Sequence, residues 1–406
     1  MTAGTTFKAQ PARQQACGSA FCEPALVSLA AVTWNFALVG RTRMLAEAWQ
    51  RSGRRQVFAQ VPGLRTAAER LLGPFKADEP LPVVRPWPAY PERWWSHISE
   101  RRYLRLVRKR AADLRRQLSR HVPLEESAAI VVSPRWLPWL DHLPVRTVVY
   151  DCIDDVRVHA GRPETVSVYR RWEAELIERA DGVVTTAAAL ARHVRQLADV
   201  PVELVRNGVD AQWFARQAER QSRPGDLPRS GRPLVGFVGA LYGWIDWPLV
   251  GQVAAALPEF DFVFVGPIDG RSRPGKAAEL ANVHLLGRRP HQRVPAYVAA
   301  FDVCWVPFDA TQISRLANPV KIYEYLALGK PVVSTPVADV ESFEGLVQVG
   351  ADAPALAAAL RSALEQRDES AAARRREFAR RNSWDARAEQ FARFVDRLAG
   401  GKGGWR

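Results

Sequence analysis

Short apolar runs alternating with helical segments, in two successive series, constrain this chain more than any other feature. The runs at 25–32, 56–60, 129–132, 147–150, 182–185 and 202–205 read as buried strands. Segments of helical character stand between them, one ending near residue 49 and others over about 98–121, 164–180 and 187–197. Such alternation predicts a parallel, doubly wound sheet. The stretch QSRPGDLPRSGRP at 221–233 then reads as a surface linker. A second series follows, with strands at 233–238, 262–265, 283–286 and 302–306 and helices at 247–256, 294–300 and 353–366. Residues 371–399 are strongly helical, with Ser383-Trp384-Asp385 as a break and a new N-cap. The expected class is α/β, with two Rossmann-like domains. The expected divisions are a first domain at 24–206, a junction and linker at 207–232, a second domain at 233–382 and a final helix at 383–400. Residues 1–23 and 401–406 are expected to be disordered.

At 406 residues, the chain is long enough to bury two full cores. No apolar run approaches the roughly 18 residues that a membrane helix needs. The first residues lack a signal-peptide core, so a cytoplasmic location is expected. Cys17, Cys22, Cys152 and Cys304 match no zinc spacing and imply no disulfide framework. The net charge of +14 is concentrated between Arg85 and Arg120, where Trp87, Tyr90, Trp94, Trp95 and Tyr103 are interleaved with the arginines. Two readings stay open there: contact with an anionic membrane or another polyanion, and a plain solvated arginine-rich helix. No nucleic-acid module is present, so no specific nucleic acid is expected.

The segment 318–333, NPVKIYEYLALGKPVV, carries the sharpest chemical signal. Asn318 is expected to cap a helix whose first position is Pro319. Lys321 and Glu324 then share one face near the helix N-terminus. Gly329 suits a left-handed C-cap, and Pro331 bars continuation. A lysine at a helix N-terminus favours a diphosphate, and a carboxylate one turn on can bind a ribose hydroxyl. Gly239 and Ala240 follow a buried strand, where glycine lets backbone N–H groups approach phosphate. Arg288 follows Gly287 at another strand end, where ligands gather in open α/β sheets.

This set resembles the GT-B glycosyltransferases, in the retaining branch often called family 4. The P-x-K-x-x-E-Y-L-A-x-G-K-P-V-V run is similar to that family's donor-site segment. Asn207-Gly208-Val209-Asp210 resembles its domain-junction loop, and Tyr150-Asp151-Cys152-Ile153-Asp154-Asp155 resembles a segment of teichuronic-acid-type transferases. The resemblance implies two Rossmann-like domains facing a cleft, with the C-terminal helix crossing back to the first. It implies transfer of a sugar, with retention, from a nucleotide-diphosphate sugar to an envelope glycan or lipid-linked acceptor. The donor is then a substrate, and no cofactor or metal is expected.

The implied donor contacts are Gly239, Ala240, Arg288, Asn318, Pro319, Lys321, Glu324, Asn207 and Gly208. Lys321, Glu324, Asp154 and Asp155 are the catalytic candidates. For the two aspartates, capping the next helix is the competing reading. Asn35, Gly40, Arg41 and His159 are acceptor-side candidates, with Asn35, Gly40 and Arg41 able to meet the acceptor or the leaving phosphate and His159 the candidate acid/base helper. Two departures from the family pattern stand out. No lysine follows Gly239 closely, and the first of two glutamates common in the family would fall at Leu316. The sugar contact is therefore expected in the loop 308–318, with Asp309, Thr311 and Asn318 as candidates. Two other readings remain open at this level. One is a nucleotide-sugar epimerase or hydrolase on the same scaffold, and the other is a non-catalytic membrane- or polyanion-binding protein.

Overall fold

Seven strands form the first sheet: β1 (Leu26–Leu29), β2 (Gln56–Ala59), β3 (Val83–Val84), β4 (Ala128–Val131), β5 (Thr147–Cys152), β6 (Gly182–Thr185) and β7 (Val202–Leu204). Their order is β3-β2-β1-β4-β5-β6-β7, and every pairing is parallel. Six more form the second: β8 (Leu234–Val238), β9 (Asp261–Val265), β10 (Val283–Gly287), β11 (Val303–Val306), β12 (Val332–Ser334) and β13 (Val347–Val349). That sheet runs β10-β9-β8-β11-β12-β13, again all parallel. This is a computed structural model, and it describes residues 23–34, 40–73, 79–87, 100–155, 163–269, 272–309, 316, 318–337, 339–366 and 368–401.

The central strands β1, β4, β8, β9 and β11 are buried at every residue. Helices cover both faces of such a sheet, so its strands read as unbroken apolar runs rather than as alternations. In both sheets the strand order reverses beside the first strand, and the crevice beyond the carboxyl ends at that point is the usual ligand position.

The Glu100–Leu118 helix turns Tyr103, Val107, Ala111, Leu114 and Leu118 inward, a three-and-four spacing that gives one apolar stripe. Its Arg101, Arg102, Arg105, Arg108, Arg115 and Arg116 are exposed. Two parts of the predicted basic surface are corrected. Arg85 is held by Glu69 and Glu79 rather than presented outward. The Tyr103 ring is core, and its hydroxyl donates to the Arg135 carbonyl. Trp87 is covered by the guanidinium groups of Arg70 and Arg110. Tyr90, Trp94 and Trp95 lie outside the described residues, as do the predicted disordered segments apart from Glu23 and Gly401.

The last helix, Trp384–Gly401, begins where Ser383 Oγ accepts from Ala386 N at 3.2 Å. It packs on the first domain rather than the second. Trp49 meets Phe391 edge-on at 5.4 Å, and Trp49 Nε1 donates to the Ala388 carbonyl at 2.9 Å. Gly182 permits this contact, since a Cβ there would lie 2.6 Å from Leu398 Cδ1.

Candidate active site

The second-domain wall of the cleft is built at three strand ends. Gly239 N donates to the Val265 carbonyl at 2.9 Å, and Gly266 N donates to the Gly287 carbonyl at 3.0 Å. A Cβ on Gly266 would lie 1.6 Å from the Gly239 carbonyl oxygen, so only glycine permits this approach. The Val320–Ala327 helix lies across these ends. Tyr325 fixes it there by accepting a 2.9 Å hydrogen bond from Val238 N. Gly239 in turn leaves room for Lys321, whose Cε would lie 3.3 Å from a Cβ at 239. The helix ends as its sequence dictates. Gly329 has φ +70°, its N–H reaches the Leu326 carbonyl, and Lys330 N reaches the Tyr325 carbonyl.

Its beginning differs from expectation. Pro319 takes the N-cap position, and no side chain caps the helix. Asn318 is turned away instead: its Oδ1 accepts from Asn207 N at 3.1 Å, and its carbonyl accepts from Asn207 Nδ2 at 2.7 Å. Asn207 donates both bonds, so the junction takes the Asn318 side-chain oxygen that a cap bond would have used, while Asn318 Nδ2 is buried without a hydrogen-bond partner.

A cavity of about 400 Å³ lies between the two sheets. From the first domain Gly40, Arg41, Ile153 and Asp154 line it, and Asn207 lines it from the junction. Gly239, Ala240, Arg288, Asn318, Pro319 and Lys321 line it from the second. Sequence-predicted residues from Gly40 to Lys321, up to 281 positions apart, thus meet at one place. A second cavity of about 750 Å³ shares Arg288 and His291 with the first and adds Glu324, Gly208 and Trp213. Asn35, His159 and Thr311 lie outside the described residues. Asp155 is half-buried beside Asp154 but does not line either cavity.

Lys321 Nζ donates to Glu324 Oε2 at 2.8 Å, with Glu324 itself buried. In the cavity that Lys321 lines, burial pushes the Asp154 carboxyl up to about 7, and the negative charge of Asp155 adds to this against the pull of Arg41. The Glu173 carboxyl behind it is likewise raised to about 7 by burial, although the Tyr150 hydroxyl donates to it at 2.8 Å.

Two expected contacts are committed elsewhere. Arg41 Nε donates to the Asp151 carboxylate at 3.1 Å, and Nη1 donates to the Arg206 carbonyl at 3.0 Å. Only Nη2, buried and without a hydrogen-bond partner, is left to turn toward a ligand. Asn207 has all four polar groups engaged within the protein, so it frames the cleft rather than offering a free group. Gly208 serves the backbone, since a Cβ there would lie 2.8 Å from the Asn382 carbonyl.

Sequence reasoning missed the aromatic wall. His291 stacks on Trp213 with centroids 4.8 Å apart and planes 13° from parallel, and burial lowers its pKa. Trp244 joins the first cavity from the loop that lacks a lysine, with its Nε1 donating to the Ala240 carbonyl at 3.1 Å. Leu316, at the position of the missing glutamate, packs against the core of the first domain. It is an apolar contact between domains, which a carboxylate could not make.

Two parallel-sheet, Rossmann-like domains facing one cleft define the GT-B class of glycosyltransferase folds. Residues 232–366 match the family described as glycosyl transferases group 1. The chain is 28% identical over 264 residues to TuaH of Bacillus subtilis (strain 168), a glycosyltransferase assigned to teichuronic acid biosynthesis. It is 29% identical over 186 residues to a 2-deoxystreptamine glucosyltransferase of Streptomyces kanamyceticus. These matches span 61% and 42% of this chain, and 66% and 45% of those relatives. Among solved structures, sucrose-phosphate synthase from Thermosynechococcus elongatus superposes with a TM-score of 0.68 at 17% identity. That superposition covers 94% of this chain and 100% of the other.

Proposed function

We propose that this protein transfers a sugar from a nucleotide-diphosphate sugar to an envelope glycan or lipid-linked acceptor, with retention at the anomeric carbon. The observation that carries the reading is that Lys321, ion-paired to Glu324 on a helix start, shares one cavity with the glycine-built ends of β8 and β9 and with Asp154 of the first domain. Lys321 stabilises charge developing on the departing diphosphate, and Arg288 is placed to share that work. Glu324 holds the ribose. Arg41 Nη2 turns to the leaving phosphate, and Asp154 orients the acceptor hydroxyl from the facing wall. The nucleotide sugar is a substrate in this reading, with no resident cofactor.

The finer partner is an anionic membrane, met at its cytoplasmic face by the exposed arginines of the Glu100–Leu118 helix. Among the described residues no helix is long and apolar enough to cross a membrane. Attachment is therefore assigned to a surface, and charge is the property that supports it.

A panel of nucleotide sugars tested for thermal stabilisation and then for transfer examines the reading. One donor is expected to stabilise the protein and to lose its sugar to an acceptor. Isomerised donor or free sugar, formed rapidly without acceptor, would replace transfer by epimerisation or hydrolysis.

A further inference from the structure

Two successive junction residues reach from the first domain to the second. Asn207 N and Nδ2 donate to Oδ1 and the carbonyl of Asn318, at 3.1 and 2.7 Å. Asn207 Oδ1 accepts from Arg41 Nη1 at 3.4 Å, and its carbonyl accepts from Arg387 Nε at 3.1 Å. One side chain and its peptide therefore tie together the acceptor-side helix start, the approach to the donor helix, and the final helix. Arg41 is itself immobilised on the buried Asp151.

The residue before makes a second clasp. Arg206 Nε donates to Asp339 Oδ2 at 3.1 Å. The Asp339 carboxylate also accepts from Ala188 N at 2.9 and 3.0 Å, at the start of the Ala188–Leu197 helix of the first domain. Asp339 holds this position with φ 56°, a left-handed conformation that few non-glycine residues adopt. Its side chain is 8% exposed, against 29% for Arg206.

We infer that Asn207 is a positioning residue for sugar transfer. It fixes the distance between the wall bearing Arg41 and Asp154 and the wall bearing Lys321, and the Arg206–Asp339 clasp supports the same spacing. The inference rests on the transfer reading above. Donor and acceptor lie on different domains, so alignment of their reacting atoms depends on this junction rather than on either wall alone. Reacting atoms must be held about 3–3.5 Å apart, and a misplacement of about 1 Å can cost on the order of 100-fold in rate. All but one of the proposed donor contacts lie within the second domain, Arg41 alone reaching the leaving phosphate from the first, so misalignment acts more on turnover than on donor affinity.

Asn207→Asp tests this with almost no change of shape. The carboxylate keeps an acceptor for Arg41 but sets an oxygen against the Asn318 carbonyl. Asp339→Asn keeps an acceptor for Ala188 and removes the charge facing Arg206. For Asn207→Asp, kcat for transfer is expected to fall at least about tenfold. Donor KM should stay within about threefold, and donor hydrolysis should rise relative to transfer. Asp339→Asn should move the same quantities less far. A fall in kcat that only tracks the folded fraction, with the hydrolysis ratio unchanged, would make the junction merely structural and overturn the inference. A raised donor KM at intact kcat would overturn it too, by making Asn207 a donor contact. Small-angle scattering separates this outcome from failure of the transfer reading. Both folded variants should show a larger radius of gyration than wild type even if no donor is turned over, and identical values would refute the positioning role.

Discussion

Lys321 and Glu324 are each other's ionic partner, joined at 2.8 Å across one helical turn, with side chains 22% and 9% exposed. Under the proposed donor assignment, a diphosphate at the helix start would compete with Glu324 for the ammonium and free the carboxylate for the ribose. Lys321→Ala is expected to lower kcat/KM for transfer by about 100-fold or more, the scale seen when a charge-stabilising donor is removed. It also strands the Glu324 carboxylate, so the melting temperature should fall as well. Steady-state kinetics beside a thermal melt separate the two effects, and full turnover by the variant would end the donor assignment.

Glu173 should make stability depend on pH in an unusual direction. Its carboxyl is raised from the ordinary 4.5 to about 7. The folded state therefore binds the extra proton between those values, and stability falls as pH rises through that window. Above the window the loss is complete. Glu173→Gln cannot ionise and keeps an acceptor for Tyr150, so it should be the more stable protein at pH 8, by roughly 3 kcal/mol. At pH 4 the two should be alike. Urea unfolding at both pH values decides, and an equal difference at the two would show that Glu173 titrates normally.

Gly266→Ala should damage the site and the fold together. Its Cβ would fall 1.6 Å from the Gly239 carbonyl oxygen, so the ends of β8 and β9 must part. Overpacking of this kind costs about 1–3 kcal/mol or more. Thermal stabilisation by the best nucleotide sugar should disappear. Gly243→Ala is the control, since a Cβ there meets nothing within 4 Å. Equal stabilisation of both variants by the donor would detach the glycine contact from donor binding.

The membrane proposal rests on exposed charge. Arg108, Arg115 and Arg116 line one groove with His142. Replacing all three by Ala leaves the buried stripe of their helix untouched. At about 1 kcal/mol per arginine near an anionic surface, binding to phosphatidylserine-containing liposomes should weaken by about two orders of magnitude. Cosedimentation at fixed salt measures this, and unchanged binding would remove the helix from the membrane reading.

The parallel sheets were legible because fully buried strands such as β8 and β9 leave continuous apolar runs. The Trp247–Ala256 and Val294–Ala300 helices fall where their sequences place them. The Leu64–Leu72 helix and the two-residue β3 escaped, the first being short and the second confined between prolines and a charged turn. Lys321 and Glu324 were readable as a pair because helix geometry couples positions three apart. Arg41 with Asp151 and Asn207 with Asn318 are 110 and 111 positions apart, and no local period links them. Asn318 shows the cost of a local reading. Its side chain met a stronger partner across the junction than the helix offered.

The chain passes between its domains twice, and the two passages touch. Val209 N donates to the Asn382 carbonyl at 3.1 Å, and Val209 and Ser383 form a parallel bridge. Two crossings laid side by side define a line rather than a point. Rotation about that line is the movement the bridge itself leaves open, whereas twisting one domain against the other would shear it. The final helix thus removes a degree of freedom. A chain ended before Ser383 would lose that line, the Trp384 edge of both cavities and the helix that covers Trp49, leaving the Asn207 and Asp339 clasps to join its halves.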